Sequence, residues 1–179
     1  MGDRLSSAHG PSRFGHYYTL VMLFVLGLFF MLGGLNELVA NLAPQLMPDV
    51  ISSSLEQSGY DLLHAHPVVK WWTRIHNVAN IFVGAAALVG VVMLQRGRRG
   101  GWRLLVACLM YVLIAGGVGA IIISTFLFPV LDELGPKLPV SPDGMKMAMI
   151  AGPGALMLVG AIKLKFLRKY RSYYLAREA

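Results

Sequence analysis

Four apolar segments, each close to twenty residues long, dominate this chain and limit what it can fold into. About 20 apolar residues in a helix cross the roughly 30 Å hydrocarbon core of a bilayer. Inside hydrocarbon, every backbone amide has to be hydrogen-bonded within its own segment, so each segment is predicted to be an α-helix. We place these helices at about residues 17–38, 75–94, 104–130 and 147–162. Pro129 predicts that the third helix ends or bends there.

The composition excludes an ordinary soluble domain. Hydrophobic residues make up 56% of the 179 residues and charged residues only 14%, whereas soluble domains are about 45–50% apolar. A chain of this length cannot bury so much apolar surface by itself, so lipid has to cover the remainder. We therefore predict an all-α, integral membrane four-helix bundle over residues 16–166. A disordered tail is expected at 1–15, and a basic tail at 167–179.

The basic residues predict the orientation of the bundle. Twelve of the sixteen lie in the first tail, in the connection between the second and third helices, or after the fourth helix. Cytoplasmic segments carry an excess of Lys and Arg, so both termini are predicted to be cytoplasmic, in a bacterial inner membrane. The twelve are Arg4, Arg13, Arg96, Arg98, Arg99, Arg103, Lys163, Lys165, Arg168, Lys169, Arg171 and Arg177.

Several function classes are disfavoured. The net charge of +7 comes from these flanking residues rather than from a polar face, so nucleic-acid binding is not expected. The single cysteine, Cys108, excludes a disulfide framework and a cysteine-based metal site within the chain. No catalytic, metal-binding or phosphate-binding motif is present, which favours a protein that is not an enzyme.

The polar residues nearest to the spans form one constellation. Asn36 and Glu37 end the first span, while His76, Asn77 and Asn80 begin the second, so antiparallel packing would bring them to one depth. His76 is the only histidine expected inside a span, and its imidazole could contact a quinone, a haem or a chlorophyll. The alternative is structural: a helix-end carboxylate, and asparagines that hydrogen-bond between helices.

Helical spacing adds one neighbour to this constellation. Trp72, His76 and Asn80 lie four residues apart and therefore share a face of the second helix. Two further histidines, His64 and His66, precede them in the same outer segment.

The connections are expected to differ in structure. Residues 95–101 predict a tight turn between antiparallel helices. The outer loop at about 39–74 is long, and we expect a short interfacial helix near Asp49–Gln57. The second outer loop, 132–145, contains three prolines and is expected to be ordered but non-helical. Ala115 and Gly119 match the small-xxx-small pattern of close helix packing.

The first span, Gly27-Leu-Phe-Phe-Met-Leu-Gly33-Gly34-Leu-Asn-Glu-Leu38, resembles the opening helix of the DoxX-like membrane proteins. The layout is similar as well, with a long outer loop, a Gly/Ala-rich second helix and a tight basic turn. Glu37 stands where that family often has a basic residue. The resemblance implies a small accessory membrane subunit linked to quinone or thiol redox chemistry.

Three functions are expected in order of preference. The first is a non-catalytic accessory or assembly subunit of a larger membrane complex, such as a respiratory or photosynthetic one, with other membrane subunits as partners. The second is a quinone-binding or cofactor-binding redox protein that uses the His76 constellation. The third is a small transporter, which lacks support because no ionisable residue lies at mid-membrane.

Overall fold

All regular structure in the described residues is helical. The computed structural model describes residues 10–42, 66–134 and 141–176. Four stretches are long and apolar enough to cross a membrane: Arg13–Val39, Pro67–Gln95, Arg99–Glu133 and Pro142–Lys169. The prediction of an all-α chain with four such helices is confirmed, and it indicates an integral membrane protein. The helices are α1 (Arg13–Leu42), α2 (Pro67–Gln95), α3 (Arg99–Ile122), α4 (Phe128–Leu134), α5 (Pro142–Lys169) and α6 (Arg171–Ala176), with a π-helical segment (Ile123–Leu127) between α3 and α4.

The first two helices begin earlier than predicted, because polar residues cap them. The Ser12 hydroxyl accepts a hydrogen bond from the Gly15 N–H at 3.1 Å, so residues 13–15 are helical and not part of a tail. The ring of His66 accepts one from the Val68 N–H at 3.3 Å, and Pro67 occupies the first position of α2. The first outer loop is therefore shorter than the expected 39–74.

The second outer loop was expected to be non-helical over 132–145, and this was wrong. Helix α4 extends to Leu134 and α5 begins at Pro142. Ser141 caps α5 by accepting the Gly144 N–H at 3.2 Å. Residues 135–140 lie outside the described residues, as do 1–9 and 43–65, which include His64 and the short helix expected at 49–57.

The connection between α2 and α3 is the predicted tight turn. The Gly97 N–H donates to the Leu94 carbonyl at 3.1 Å, and the Arg98 N–H donates to the Met93 carbonyl at 2.9 Å. These two bonds form a Schellman motif, which requires a left-handed residue after the helix. Gly97 provides it, with a φ of 77°. The antiparallel hairpin of α2 and α3 follows directly from this turn.

The third span does not end at Pro129. A proline lacks an N–H and its ring crowds the carbonyl four residues earlier, here that of Thr125. The π-helical segment precedes Pro129, and its wider turn is closed by the Phe128 N–H donating to the Ile123 carbonyl. Helix α4 continues from there, so the helix is locally widened before this proline instead of ending at it.

The helices pack in chain order: α1 on α2, α2 on α3, and α3 on α5. Glycines allow a close approach between α1 and α2. A Cβ added to Gly84 would lie 2.6 Å from the Gly27 carbonyl oxygen, and one added to Gly34 would lie 2.6 Å from the Asn77 carbonyl oxygen. Such backbone contact without side chains between is typical of membrane helix pairs.

The buried core lies at the end of the bundle that contains the start of α1, the α2–α3 turn, the end of α5 and α6; we call this the basic end. Helix α6 folds back onto the bundle here, and its Tyr174 is only 1% exposed. The Trp102 indole N–H donates to the Leu167 carbonyl at 2.9 Å and ties α3 to α5. The core consists of Leu20, Leu23, Ala87, Val91, Leu94, Leu105, Cys108, Leu109, Leu164, Leu167 and Tyr174.

Candidate functional site

A cavity of about 180 Å³ lies between α2, α3 and α5. Four of its lining residues lie on one face of α2, at positions three or four residues apart. The facing side of α3 supplies small residues, and the π-helical segment and α5 close it. Its lining consists of Val69, Trp72, Thr73, His76, Ala115, Gly116, Gly119, Ile123 and Pro153.

The small residues of α3 keep this space open. A Cβ added to Gly119 would meet the Trp72 indole nitrogen at 3.4 Å, so the indole covers the backbone of α3 at this point. Ala115 is buried and presents only a methyl group. The Ala115-x-x-x-Gly119 pattern was predicted to bring two helices together; both residues lie where α3 meets α2, and both also line this cavity.

His76 is held between two aromatic rings. The Trp72 ring stacks on the imidazole with centroids 5.5 Å apart and planes 10° apart. The Tyr111 ring belongs to α3. Its centroid lies 6.0 Å from that of the imidazole, and the two ring planes are 18° apart. Parallel offset rings at these separations attract each other. The stack therefore restricts the orientation of the imidazole next to the cavity.

Hydrogen bonds fix one edge of the same imidazole. The Tyr111 hydroxyl lies 2.9 Å from His76 Nδ1 and 3.4 Å from Asn80 Oδ1, and its single proton can be donated to only one of them. His76 Nε2 makes no hydrogen bond within the described residues. When Tyr111 donates to Nδ1, Nε2 carries the proton and can donate to a carbonyl of a ligand; when Tyr111 donates to Asn80, Nδ1 donates to the Tyr111 oxygen and Nε2 can only accept.

A second polar group borders the cavity. The Trp72 indole N–H has no acceptor within the described residues, and an indole N–H can only donate. The Thr73 hydroxyl is engaged, because it donates to the Val69 carbonyl at 2.9 Å. Trp72 and His76 are half-buried, so the space between them is reachable from outside the bundle. A mostly apolar cavity with two convergent polar groups is the usual form of a small-molecule site.

The predicted constellation is divided in the structure. His76 and Asn80 are joined through Tyr111, whereas Asn77 is buried on the side of α2 that faces Gly34 of α1. Asn36 is exposed and Glu37 is half-buried one helical turn beyond Gly34, and neither lines the cavity. The side-chain nitrogen of Asn77 is buried and has no hydrogen-bond partner among the residues that the structure describes.

The described part of the chain gives little support for a bound metal ion or a macrocyclic cofactor. Within it, no three His, Cys, Asp or Glu side chains lie close enough together to hold a metal ion. A volume of about 180 Å³ is below the roughly 300–1,000 Å³ of typical ligand pockets. It suits one small ring better than a haem or a chlorophyll.

One part of this site could be predicted from the sequence, and another could not. The spacing of Trp72, His76 and Asn80 places them on one helix face, and the structure has that arrangement. Tyr111 was missed, because it lies 35 residues from His76 and nothing local indicates which residue of α3 faces it.

Comparison with protein-family models, with curated proteins and with solved structures finds no match for this chain.

Proposed function

We propose that this protein binds the ring of a small lipid-phase amphiphile of the quinone type in the cavity beside His76. The observation that carries the proposal is the stacked, hydrogen-bonded imidazole whose Nε2 remains available at an otherwise apolar cavity. A quinone oxygen can accept from the Trp72 N–H and from the His76 Nε2–H in the tautomer in which Tyr111 donates to Nδ1. The apolar walls then cover the rest of the ring.

The size of the cavity supports a ring with its tail outside. A water molecule takes about 30 Å³ of liquid volume, so 180 Å³ corresponds to a few waters or one six-membered ring. A long apolar tail would leave between the helices into lipid. Ligand entry from the lipid phase fits the half-buried state of Trp72, Thr73 and His76.

Equilibrium titration of the purified protein with a short-chain quinone tests this proposal. His76→Leu removes the ligand hydrogen bond and should raise the Kd by about tenfold, since one such bond contributes about 1–1.5 kcal/mol. His66→Leu is the matched control, because His66 caps α2 and stacks on Phe126 without lining the cavity. Equal affinities of both variants and the unmodified protein would contradict the proposal.

The accessory-subunit function is the second candidate, and one observation favours it. Only 17% of the most apolar part of α5 is buried, compared with 39% for α2. A Cβ added to Gly152 or Gly154 would meet no atom within 4 Å, so another membrane helix could approach here. Gly154→Leu should then dissociate a native complex. Gly33→Leu should not, although a Cβ at Gly33 on α1 also meets no atom within 4 Å. The DoxX-like resemblance remains a prediction.

Both termini are proposed to be cytoplasmic, in a bacterial inner membrane. The four described carboxylates, Glu37, Asp132, Glu133 and Asp143, lie at the end opposite the basic end. This distribution supports the orientation that the positive-inside rule predicts. A cytoplasm-dependent reporter inserted between Arg98 and Arg99 should be active, and one inserted between residues 52 and 58 should be silent. The reverse pattern would contradict this orientation.

A further inference from the structure

A second cavity, unrelated to the His76 cavity, lies at the basic end of the bundle. We propose that it binds the phosphate group of an anionic lipid or of a soluble phosphate ester. Its volume is about 340 Å³, within the roughly 300–1,000 Å³ range of ligand pockets. The chain segment before α1, the first turns of α1, the end of α2 and helix α6 all contribute to it. It is lined by Pro11, Arg13, His16, Tyr17, Gln95 and Tyr173.

The walls of this cavity are held by buried contacts. The Tyr174 hydroxyl lies 3.0 Å from His16 Nδ1, and both residues are buried. This contact holds α6 against the start of α1 and thereby places Tyr173 across from Arg13. The ring of Tyr173 also packs against Gly10. The cavity is therefore part of the folded structure and not a gap between loose tails.

The lining suits an anion. Arg13 supplies a guanidinium, which forms paired hydrogen bonds with phosphate oxygens. Gln95, Tyr17 and Tyr173 add groups that can donate hydrogen bonds. The α2–α3 turn next to Gln95 carries further arginines, and every described carboxylate lies at the opposite end of the bundle. Among the described residues, the charged side chains around this cavity are therefore basic.

The position of the cavity points to lipid as one source of the phosphate. Phe14, Tyr17 and Tyr18 are exposed around the start of α1, as aromatic side chains at the head-group level of a membrane usually are. Basic pockets between membrane helices on this side bind the head groups of anionic lipids. A soluble phosphate ester would present the same oxygens from the aqueous side, so the experiment has to separate the two sources.

Native mass spectrometry of the full chain tests the proposal. The protein is equilibrated with equal amounts of phosphatidylglycerol and phosphatidylcholine in mild detergent, and the retained lipid is measured. We expect selective retention of phosphatidylglycerol. Arg13→Gln should lower that retention by about tenfold, because the variant loses a charge-assisted hydrogen bond to the phosphate, a loss of about 1.4 kcal/mol. Arg103→Gln is the matched control, since Arg103 is exposed near the same end without lining the cavity.

A second arm replaces the anionic lipid with inorganic phosphate, added to protein that holds only phosphatidylcholine. Stabilisation of that protein against heat through Arg13 would assign the site to soluble phosphate esters. Retention of phosphatidylglycerol without any effect of free phosphate would assign it to lipid. Equal retention of the two lipids together with no effect of free phosphate would overturn the proposal. Equal losses in the Arg13 and Arg103 variants would also overturn it, because they would show general attraction to a basic surface.

Discussion

His16 and Tyr174 are 158 residues apart in the chain, and the His16 Nδ1 and Tyr174 hydroxyl oxygen lie 3.0 Å apart. The contact joins the first turn of α1 to the last helix. Both side chains are buried, and Tyr174 belongs to the same core as Leu105 and Leu167. The basic segment after the fourth span, which the sequence suggested to be a tail, is part of the fold as far as Ala176.

Tyr174→Phe should lower the free energy of unfolding by about 1 kcal/mol, because it removes a buried hydrogen bond and keeps the ring. Tyr170→Phe is the control, since the Tyr170 hydroxyl makes no hydrogen bond within the described residues. Unfolding by a denaturing detergent, followed by circular dichroism, measures both. If the two variants were equally stable, the contact between α1 and α6 would contribute nothing to the fold.

Gly84→Ala should destabilise the bundle, because its new methyl group would lie 2.6 Å from both the Gly27 carbonyl oxygen and the Met31 amide nitrogen. Helices α1 and α2 would have to separate, and backbone atoms cannot yield as a flexible side chain can. Gly33→Ala is the control: its Cβ meets no atom within 4 Å, and alanine favours a helix by up to about 1 kcal/mol over glycine. The midpoint of thermal aggregation in mild detergent should fall for Gly84→Ala, whereas it should stay the same or rise for Gly33→Ala. A reversed order would show that α1 and α2 do not pack through Gly84.

The spans could be predicted from the sequence, because their length and hydropathy are local properties. Their ends could not, since they depend on single caps such as Ser12 and Ser141. The atoms that an individual glycine contacts could not be predicted from the sequence either. A Cβ added to Gly116 would lie 2.7 Å from the Met157 side chain, whereas one added to the adjacent Gly117 would meet only the end of Met157 at 3.9 Å, in ordinary contact. Which face of a helix meets a neighbour is set by the neighbour as well.

The candidate site could be predicted in part for a similar reason. His76 and Asn80 share a face by their spacing, and both lie beside Tyr111. Asn77 is adjacent in sequence but is rotated by about 100° around the helix from each neighbour in the chain, so it faces α1. A common depth in the membrane therefore does not bring side chains together unless they also share a face.

Asn77→Leu should leave the protein as stable as before or make it more stable. Its buried side-chain nitrogen has no partner in the described part of the chain, and leucine of similar size removes a desolvated polar group that costs about 1–3 kcal/mol. Asn80→Leu should be destabilising, because the Tyr111 hydroxyl loses an acceptor. Detergent unfolding of the two variants gives the comparison. Strong destabilisation by Asn77→Leu would reveal a polar partner for this residue on α1.

The central claim is that the cavity beside His76 holds the ring of a quinone-type ligand. Trp72 lines that cavity, whereas Trp71 and Trp102, the other two tryptophans, do not. A protein with Trp71→Phe and Trp102→Phe therefore carries a single fluorophore at the site. Ala115→Leu on this background places a larger side chain into the space while it retains every polar group of the lining.

Quenching of Trp72 fluorescence by a short-chain quinone is the most direct measurement. In the single-tryptophan protein the quenching should saturate and define a Kd. With Ala115→Leu, at unchanged helical content, the saturable part should disappear and only weak collisional quenching should remain. Quenching that rises linearly with quinone concentration and is the same in both proteins would contradict the account, because it would show that no ligand occupies this cavity.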